Sequence, residues 1–484
     1  MAIESTQLKA EQYTIKFIAI WKVGEETGQP YAYLQDAFSS FQYVEDLLSP
    51  SISGTLVVLD KALNLPADMP LTGFEKLVVA VTDHKGDDHQ FDFRVWKVAN
   101  RILTDKGQGY TLGLVGDQAL TNEGVKVNKV LTNTASGMVK SLLINYLNVP
   151  DGKIKVEETV NKIKVIPAGK APFAVIRDLQ PKAISKDMFT AGSSKTSSSI
   201  SDGSGSSTVD TKSDDVKDAK KLKGSSGYFF WEDRDGFNFK SIDSVVSPDP
   251  KKFNGSGAVA TYEYEPANID ATESKGHRKI QELSFRSEID MMRKLREGAY
   301  STECSFFDIN TGVYTEYTYK LSESWDQMAH LGPQTDLPKG QKQLSQYATR
   351  RLSSVINHEN WYNGTEVASN DASDDSDEPS EITDFQKQYL VQSISRAGTL
   401  FNQQLAISVT GNLDLRVGQK IEVKIPNMVP EDSKEELGSF DPENSGIYLI
   451  RKLNHQFDRP SRSVYTVLDL IRDSWGYEDT KTDE

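Results

Sequence analysis

Cysteine is almost absent from this chain of 484 residues, which contains only Cys304. A framework of internal disulfides is therefore excluded, and we expect a reducing compartment. No apolar run approaches the roughly 20 residues that a membrane-spanning helix needs. The N-terminal sequence MAIESTQLKAEQYTIKF has no basic region followed by an apolar stretch, so we expect no secretory signal.

Positive charge is also in short supply. The chain carries 55 Lys and Arg against 70 Asp and Glu, which gives a formal net charge of −15. Proteins that bind nucleic acid or anionic lipid depend on clustered Lys and Arg, and no dense basic cluster occurs here. We therefore predict neither specific nucleic-acid binding nor membrane insertion.

Motifs of enzyme chemistry are missing as well. The sequence has no H-E-x-x-H, no C-x-x-C, no P-loop and no G-x-S-x-G. Its six histidines are scattered, at positions 84, 89, 277, 330, 358 and 455. We predict no catalytic, cofactor-binding or metal-binding residues, no cofactor and no enzyme activity. A sugar hydrolase stays open, because one sequence does not show which carboxylates lie together.

Two places in the sequence contain residue types that bind metals or react as nucleophiles. His84 and His89 lie five residues apart beside Asp87 and Asp88, where a metal site is one interpretation and a solvated β-turn is the favoured one. Cys304 follows a strand-like pattern with no histidine near it in sequence, which favours a small buried hydrophobic residue over a reactive thiol.

Two acidic segments partly resemble calcium loops. Segment 371–378 has no glycine at the sixth position, and Ile382 occupies the twelfth, so a solvated acidic linker is favoured. Segment 233–236 (DRDG) begins like a calcium loop but is flanked by strand-like aromatic residues. A hairpin turn is the better interpretation there.

The sequence contains two long blocks of strand-like segments, in which β-branched and aromatic residues partly alternate with polar ones. At roughly 150 residues per domain the length suggests about three domains. We predict a first β domain over residues 1–117 and a second over 385–476, each an antiparallel barrel or sandwich. The predicted strands are 13–21, 52–59, 76–82, 90–98 and 110–115 in the first block and 406–410, 419–425, 446–453 and 463–471 in the second.

Between the two blocks the pattern changes to a small α/β module over residues 118–245. Helical spacing over 134–147 predicts a helix with Asn133 or Thr132 as its N-cap, and 172–179 predicts a second helix. Segment 190–227 contains 12 Ser, 5 Gly and no aromatic residue, so we predict a disordered insertion. Asp235 and Gly236 predict a hairpin turn.

The remaining segments are less regular. We predict a peripheral β-rich and mixed region over 246–335, with strand pattern near 283–285, a short helix ended by Gly298 and a hairpin over 305–319. A helical connector and acidic linker follow over 336–384, with eight acidic and no basic residues in 366–384. Residues 477–484 form an acidic tail. The predicted fold class is thus mainly β with an α+β insertion.

One feature suggests that the two β blocks are related. In the first, a strand is followed by Gly73 and a second alternating strand, and in the second the same order occurs around Gly418. Short windows of antiparallel β proteins often look alike, so this echo alone does not decide the point.

Several segments, in order along the chain, resemble the baseplate hub proteins of contractile-tailed bacteriophages. No single motif is specific, but the ordered set covers most of the chain, with segments 190–227 and 366–384 outside it. The segments are 46–60 (DLLSPSISGTLVVLD), 69–75 (MPLTGFE), 228–243 (YFFWEDRDGFNFKSID), 291–308 (MMRKLREGAYSTECSFFD), 411–418 (GNLDLRVG), 445–450 (SGIYLI) and 469–474 (DLIRDS).

The resemblance implies a homotrimeric ring whose subunits each carry two tube-protein-like β domains. Such a ring adapts the sixfold tail tube to the threefold central spike and lets DNA pass. The implied partners are the spike, the tube proteins, and also the tape measure and wedge proteins. The implied place is the virion baseplate, after assembly in the host bacterial cytoplasm. An acidic or neutral inner wall is expected, so that DNA is not retained.

Three alternatives stay open. The first is the hub of a related contractile injection system, which commonly carries a fused repeat-rich spike. No such repeats follow residue 476, so we expect a separate spike. The second is a cell-wall hydrolase of the tail, for which no helical catalytic segment is visible. The third is a receptor-binding protein that uses the aromatic hairpins, although strand aromatics are more often core.

Overall fold

The computed structural model describes residues 12–474, except for twelve internal gaps. The gaps are 62–64, 66–68, 105–106, 187–225, 252, 265–277, 287–290, 310–311, 326–327, 333–346, 356–381 and 428–439. Most of the predicted disordered insertion, most of the acidic linker and the acidic tail lie outside the described residues. The insertion was predicted two residues too long, since Ser226 forms a β-bridge with Ile184. None of the helices in the described part combines the length and apolar character that a bilayer crossing requires.

The N-terminal block is a run of seven strands, because its alternating β-branched and aromatic residues place one face of each strand in the core. The strands are β1 (Thr14–Trp21), β2 (Ala32–Tyr33), β3 (Phe38–Asp46), β4 (Ser53–Asp60), β5 (Lys76–Thr82), β6 (Asp88–Thr104) and β7 (Gly107–Val115). They form one antiparallel sheet in the order β3-β4-β7-β6-β5-β1-β2.

The α/β module follows and has a core of its own. Its helices are α1 (Asp117–Gly124), α2 (Ala135–Asn145), α3 (Pro172–Leu179) and α4 (Ile242–Val246). Its strands are β8 (Leu131–Thr134), β9 (Ile154–Val156), β10 (Lys162–Val165), β11 (Tyr228–Asp233) and β12 (Gly236–Ser241). The predicted β11–β12 hairpin is present, but its turn lies one residue earlier than predicted, at Arg234 and Asp235, because Gly236 already pairs with Asp233; β9 adds to the hairpin in parallel.

The N-cap of α2 corrects the sequence prediction. The helix begins at Ala135, so Asn133 and Thr132 lie one and two residues too early in the chain to be its N-cap. The cap is Thr134, whose hydroxyl accepts a hydrogen bond from the Gly137 backbone N–H at 3.2 Å. The predicted helix over 172–179 is confirmed, with Pro172 in its first turn.

The C-terminal half contains the other β block and a side sheet. The elements in chain order are β13 (Ala258–Tyr264), β14 (Lys279–Phe285), α5 (Met291–Glu297), β15 (Ser301–Phe307), β16 (Tyr314–Lys320), α6 (Leu321–Ser324), β17 (Arg350–Val355), α7 (Ile382–Thr399), β18 (Gln403–Thr410), β19 (Lys420–Lys424), β20 (Gly446–Asp458) and β21 (Ser463–Arg472).

Six of these strands close into a barrel. The order is β13-β14-β18-β21-β20-β19, and β19 pairs with both β20 and β13, which completes the ring. Segment 246–335, which we expected to be peripheral, is therefore divided between two sheets. Its strands β13 and β14 complete the barrel, because β18 and β19 each need a partner on their outer edges. Its hairpin β15–β16 forms the separate side sheet with β17.

The two β blocks share one strand arrangement. In the first block β3, β4, β7, β6 and β5 lie side by side, and in the second β14, β18, β21, β20 and β19 follow in the same order. Every neighbouring pair in both series is antiparallel. The similarity ends at the next strand, since β1 is antiparallel to β5 whereas β13 is parallel to β19.

Two pairs of β-bulges show that the strand registers of the two blocks also agree. A bulge interrupts β6 at residue 96 and β20 at residue 451, and another interrupts β3 at residue 39 and β14 at residue 281. If residue 96 of β6 is matched with residue 451 of β20, the pairing from strand to strand also matches residue 39 of β3 with residue 281 of β14. The ladders between them match Lys97 with Lys452, Gly113 with Asp469, Thr55 with Ala406, and Gln42 with Ser284.

The sequence echo around Gly73 and Gly418 is part of this repeat, offset by one residue. Gly418 donates its N–H to the carbonyl of Ile450 at 3.0 Å, and in the first block Phe74 donates to the carbonyl of Val95 at 2.7 Å. Phe74 thus occupies the place of Gly418, with φ of 78° against 81°. This left-handed conformation suits glycine, so Phe74 holds it at a cost.

Candidate functional site: the joint between the two β blocks

The four histidines that the structure describes do not gather into a site. His89 is buried, with Nε2 3.4 Å from Asp83 Oδ2, and burial lowers the pKa of His89. His455 is buried on β20, where its Nδ1 lies 2.9 Å from the Thr466 hydroxyl. Positions 277 and 358 lie outside the described residues, as does segment 371–378. Among the described residues no group of three or more His, Cys, Asp or Glu could hold a metal ion.

The other two candidates have structural surroundings. Asp233 accepts hydrogen bonds from the Asp235 backbone N–H at 2.8 Å and from Asn238 at 2.7 Å, which stabilise the predicted hairpin turn. Cys304 is fully buried and packs with Phe306, the environment predicted from the sequence, and burial raises the pKa of its thiol.

The feature that organises the molecule is the ladder between β3 and β20. Seven residue pairs, from Asp46 with Lys452 to Ser40 with Asp458, join the two blocks into one sheet of 13 strands. On the inner face Phe41 stacks on Phe457, with ring centroids 5.4 Å apart. The two blocks therefore share a single hydrophobic core.

A buried carboxylate lies at the centre of this joint. Glu45 projects from β3 and accepts hydrogen bonds from the Tyr43 hydroxyl at 2.7 Å, from the Arg234 backbone N–H at 3.2 Å and from the Val417 backbone N–H at 2.9 Å. Its partners come from the first block, the module hairpin and the second block. Burial raises the pKa of Glu45 to about 7, an effect strengthened by the charge of Asp233.

A second carboxylate fixes the module hairpin to the first block. Glu232 on β11 accepts hydrogen bonds at Oε2 from the Ser51 hydroxyl at 2.9 Å and from the Ile52 backbone N–H at 3.1 Å. Burial raises the pKa of Glu232 to about 7 as well. At neutral pH the joint thus contains two carboxyl groups near the midpoint of their titration.

A buried arginine connects α7 to the rest of the chain. Arg396 lies 3.0 Å from Asp243 Oδ1 on α4 and 3.0 Å from Asp473 Oδ2 after β21, and all three side chains are almost completely buried. His330 Nδ1 lies 2.8 Å from Asp473 Oδ2, and the His330 ring stacks on Trp325 at 3.5 Å. Although burial alone would raise the pKa of Asp473, the hydrogen bond and charge of His330 and the charge of Arg396 lower it.

The outer face of the joint is polar. Its residues alternate with the core residues along β3 and β20, and Gln42 stands opposite Gln456 there. Arg451 at the β20 bulge contacts Asp46 at 3.4 Å and Asp469 at 2.8 Å, so its charge is balanced twice. These two carboxylates also face other cations, since Arg286 lies 3.2 Å from Asp469 and Lys452 stands opposite Asp46 in the ladder.

Sequence reasoning did not identify Glu45, Glu232 or Arg396. A usable signal existed for Glu45, because Phe41, Tyr43 and Glu45 alternate along one strand and so share its buried face. For Arg396 the helix pattern alone gives no such signal, since its two carboxylate partners are 153 and 77 residues away.

The chain was compared with known proteins. No family model matches it, and no curated protein does. Among solved structures it is similar to a tail protein from Neisseria meningitidis MC58, with 13% identity, a TM-score of 0.49 and coverage of 96% of this chain and 98% of that one. It is also similar to the 43 kDa tail protein of prophage MuSo2 from Shewanella oneidensis, with 10% identity, a TM-score of 0.47 and coverage of 95% and 99%. A third is the E. coli c3393 protein, a component of the type VI secretion system, with 11% identity, a TM-score of 0.40 and coverage of 91% and 75%.

Proposed function

We propose that this chain is a structural baseplate hub of a contractile phage tail, without enzyme activity. In this role three copies form a ring that adapts the sixfold tail tube to the threefold central spike. The observation that carries the proposal is the duplicated β block. Because one chain contains two blocks with the same strand order and the same bulges, a threefold ring presents six similar surfaces.

The joint supports the mechanical side of this role. A ring that transmits load between tube and spike needs its blocks held at a fixed angle. The seven-pair ladder, the shared core and Glu45 with partners from three parts of the chain provide that rigidity. Titratable groups buried in this way restrict how the blocks can tilt, since any tilt would leave hydrogen-bonding groups without partners.

The polar outer face of β3 and β20 is assigned to the lumen of the ring. Gln42 and Gln456 are uncharged, and the basic residues beside them, Arg451 included, lie next to Asp46 and Asp469. A wall of this kind offers few phosphate contacts, so DNA passes without being retained. The expected neighbours are the spike below and tube proteins above, with tape measure and wedge proteins also in contact. The place of action is the virion baseplate, after assembly in the host cytoplasm.

Light scattering on the purified chain over a range of concentrations tests the proposal. A mass of about 162 kDa, three times 53.9 kDa, is expected together with ring-shaped particles in negative stain. Class averages should show six similar lobes around the hole. A chain that stays monomeric at every concentration, or a closed ring with another number of subunits, would contradict the trimeric hub.

A further inference from the structure

One edge of the first block is left open. Strand β5 pairs with β6 only over residues 88–94, whereas β6 continues to residue 104 with β7 on its other side. Along residues 97–104 no strand in the described part of the chain pairs with the outer edge of β6. The corresponding edge of β20, residues 452–458, is the one that β3 covers within the chain.

The second block has the complementary open edge. Strand β13 pairs with β14 only at residues 279 and 280. Beyond these positions the outer edge of β14, residues 281–285, meets no strand among the described residues. In the repeat, β14 corresponds to β3, whose edge at residues 40–46 is taken by β20. The edges of β20 and β3 therefore pair with each other within the chain. The matching edges of β6 and β14 are unused.

Burial shows the same contrast. Phe457 on β20 is 1% exposed, whereas Leu103, the matching residue of β6, is 74% exposed. Tyr43 on β3 is 1% exposed, whereas Phe285, its match on β14, is 54% exposed. At the joint these positions hold buried apolar side chains. At the unused edges the matching positions hold apolar side chains that are exposed to solvent. Unpaired strand edges with apolar side chains are templates for pairing with another chain.

We propose that β6 of one copy pairs antiparallel with β14 of a second copy of this chain, repeating between molecules the ladder that β20 and β3 make within one. The inference rests on the proposed function, since it identifies the contact between neighbouring copies in the proposed ring. Transfer of the internal register places Ile102 opposite Ser284, Leu103 opposite Leu283, and Thr104 opposite Glu282.

The pairing is head-to-tail, because each copy offers a β6 edge on one block and a β14 edge on the other. Such a contact propagates from copy to copy and closes when the rotation completes a circle. The two ladders differ at one point. β6 has two residues, Asn100 and Arg101, where β20 has only His455, and Asn100 has a φ of 53°. We therefore assign the register only to the segment beyond this irregularity.

A disulfide test reads the register directly. Chains with Ile102→Cys are mixed with chains with Ser284→Cys and oxidised. Residues directly opposite in an antiparallel ladder have Cα atoms about 4.5–5.5 Å apart, within the range of a disulfide. A covalent dimer is expected from the mixture, and a covalent trimer from chains that carry both substitutions. The control mixture pairs Leu103→Cys with Ser284→Cys, whose side chains face opposite sides of the sheet, and should give no more dimer than either variant alone.

A charge substitution gives a second readout. Leu103→Glu should raise the dissociation constant of the oligomer more than about tenfold, because a carboxylate would be buried in the new ladder. Its circular dichroism and melting temperature as a monomer should match the unsubstituted chain. Ile166→Glu is the matched control, since Ile166 is 58% exposed on the α/β module, and it should leave assembly unchanged.

The outcomes separate the two proposals. A trimeric ring that forms no disulfide at this register and tolerates Leu103→Glu would overturn the pairing and leave the hub standing. The disulfide in a particle of other than threefold mass would support the pairing and overturn the trimeric hub. A chain that remains monomeric and forms no disulfide overturns both.

Discussion

Glu232→Gln should make the protein more resistant to unfolding at pH 8 than the unsubstituted chain, and the advantage should disappear towards pH 5. The folded pKa of Glu232 is raised to about 7 from an unfolded value of 4.5. The folded state therefore binds the proton more tightly. Its stabilising contribution is complete below about pH 4.5 and is lost as pH rises through 7.

The magnitude follows from the linkage relation. Between pH 5 and pH 8 this one group should cost the unsubstituted chain about 2–3 kcal/mol of unfolding free energy, at 1.36 kcal/mol per pKa unit. Glutamine removes the titration and keeps an acceptor for the Ser51 hydroxyl and the Ile52 N–H, since both bonds end on one oxygen. The geometry of the site therefore survives the substitution.

The assay is urea unfolding followed by tryptophan fluorescence, because the buried Trp231 adjoins the substituted residue. The quantity compared is the difference in unfolding free energy between variant and unsubstituted chain at pH 5 and pH 8, so that all other titrating groups cancel. Glu25→Gln, at an exposed position, is the control for the loss of one acidic residue. A Glu232→Gln difference that is the same at both pH values would refute the reasoning.

The remaining predictions concern three other positions. Glu45→Gln should give a smaller gain at pH 8 than Glu232→Gln, because the amide has one oxygen whereas Glu45 accepts the Arg234 and Val417 N–H groups on different oxygens, and the N–H left without a partner costs about 1–3 kcal/mol; urea unfolding at the two pH values measures it. Arg396→Met should lower the unfolding free energy by about 3–5 kcal/mol, since it removes the arginine partner of buried Asp243 and leaves Asp473 with His330 as its ion-pair partner, and thermal melts check this. Gly236→Ala should destabilise the module hairpin, because φ is 130° and the new Cβ would lie 2.1 Å from the Lys153 carbonyl oxygen, and the melting temperature should fall while Asp235→Ala, at the exposed turn position before it, changes little.

Local pattern predicted many of the strands and hairpins, but not β3 of the joint or β13 of the barrel. The alternation around Phe91 and Phe93, the turn at Asp235 and the stop at Gly298 each depend on a few adjacent residues, and the structure has a strand, a hairpin and a helix end there. These features are set by side-chain periodicity and backbone freedom, which the sequence displays directly.

Long-range pairing was not available from the same reasoning. Nothing in the local sequence of β13 shows that it lies parallel to β19, about 160 residues later, or that it completes a barrel. The matching bulges at residues 39 and 281 have no residue signature, and they emerge only once the ladders are known. Glu45 and Arg396 were missed because their meaning depends on partners from other parts of the chain.

The closure of the barrel by β13 and β14 also sets an order for folding during synthesis. All seven strands of the first block, β1 to β7, are complete once residue 115 has emerged from the ribosome. β13 and β14 emerge by residue 285 but wait for β18 to β21, the last of which ends at residue 472. Contacts across such separations form slowly, and unpaired strand edges are exposed meanwhile. A truncated or stalled chain should therefore contain a folded first block and an aggregation-prone second one. Completion of β20 covers β3, and only β21 then joins β18 to β20 and closes the barrel.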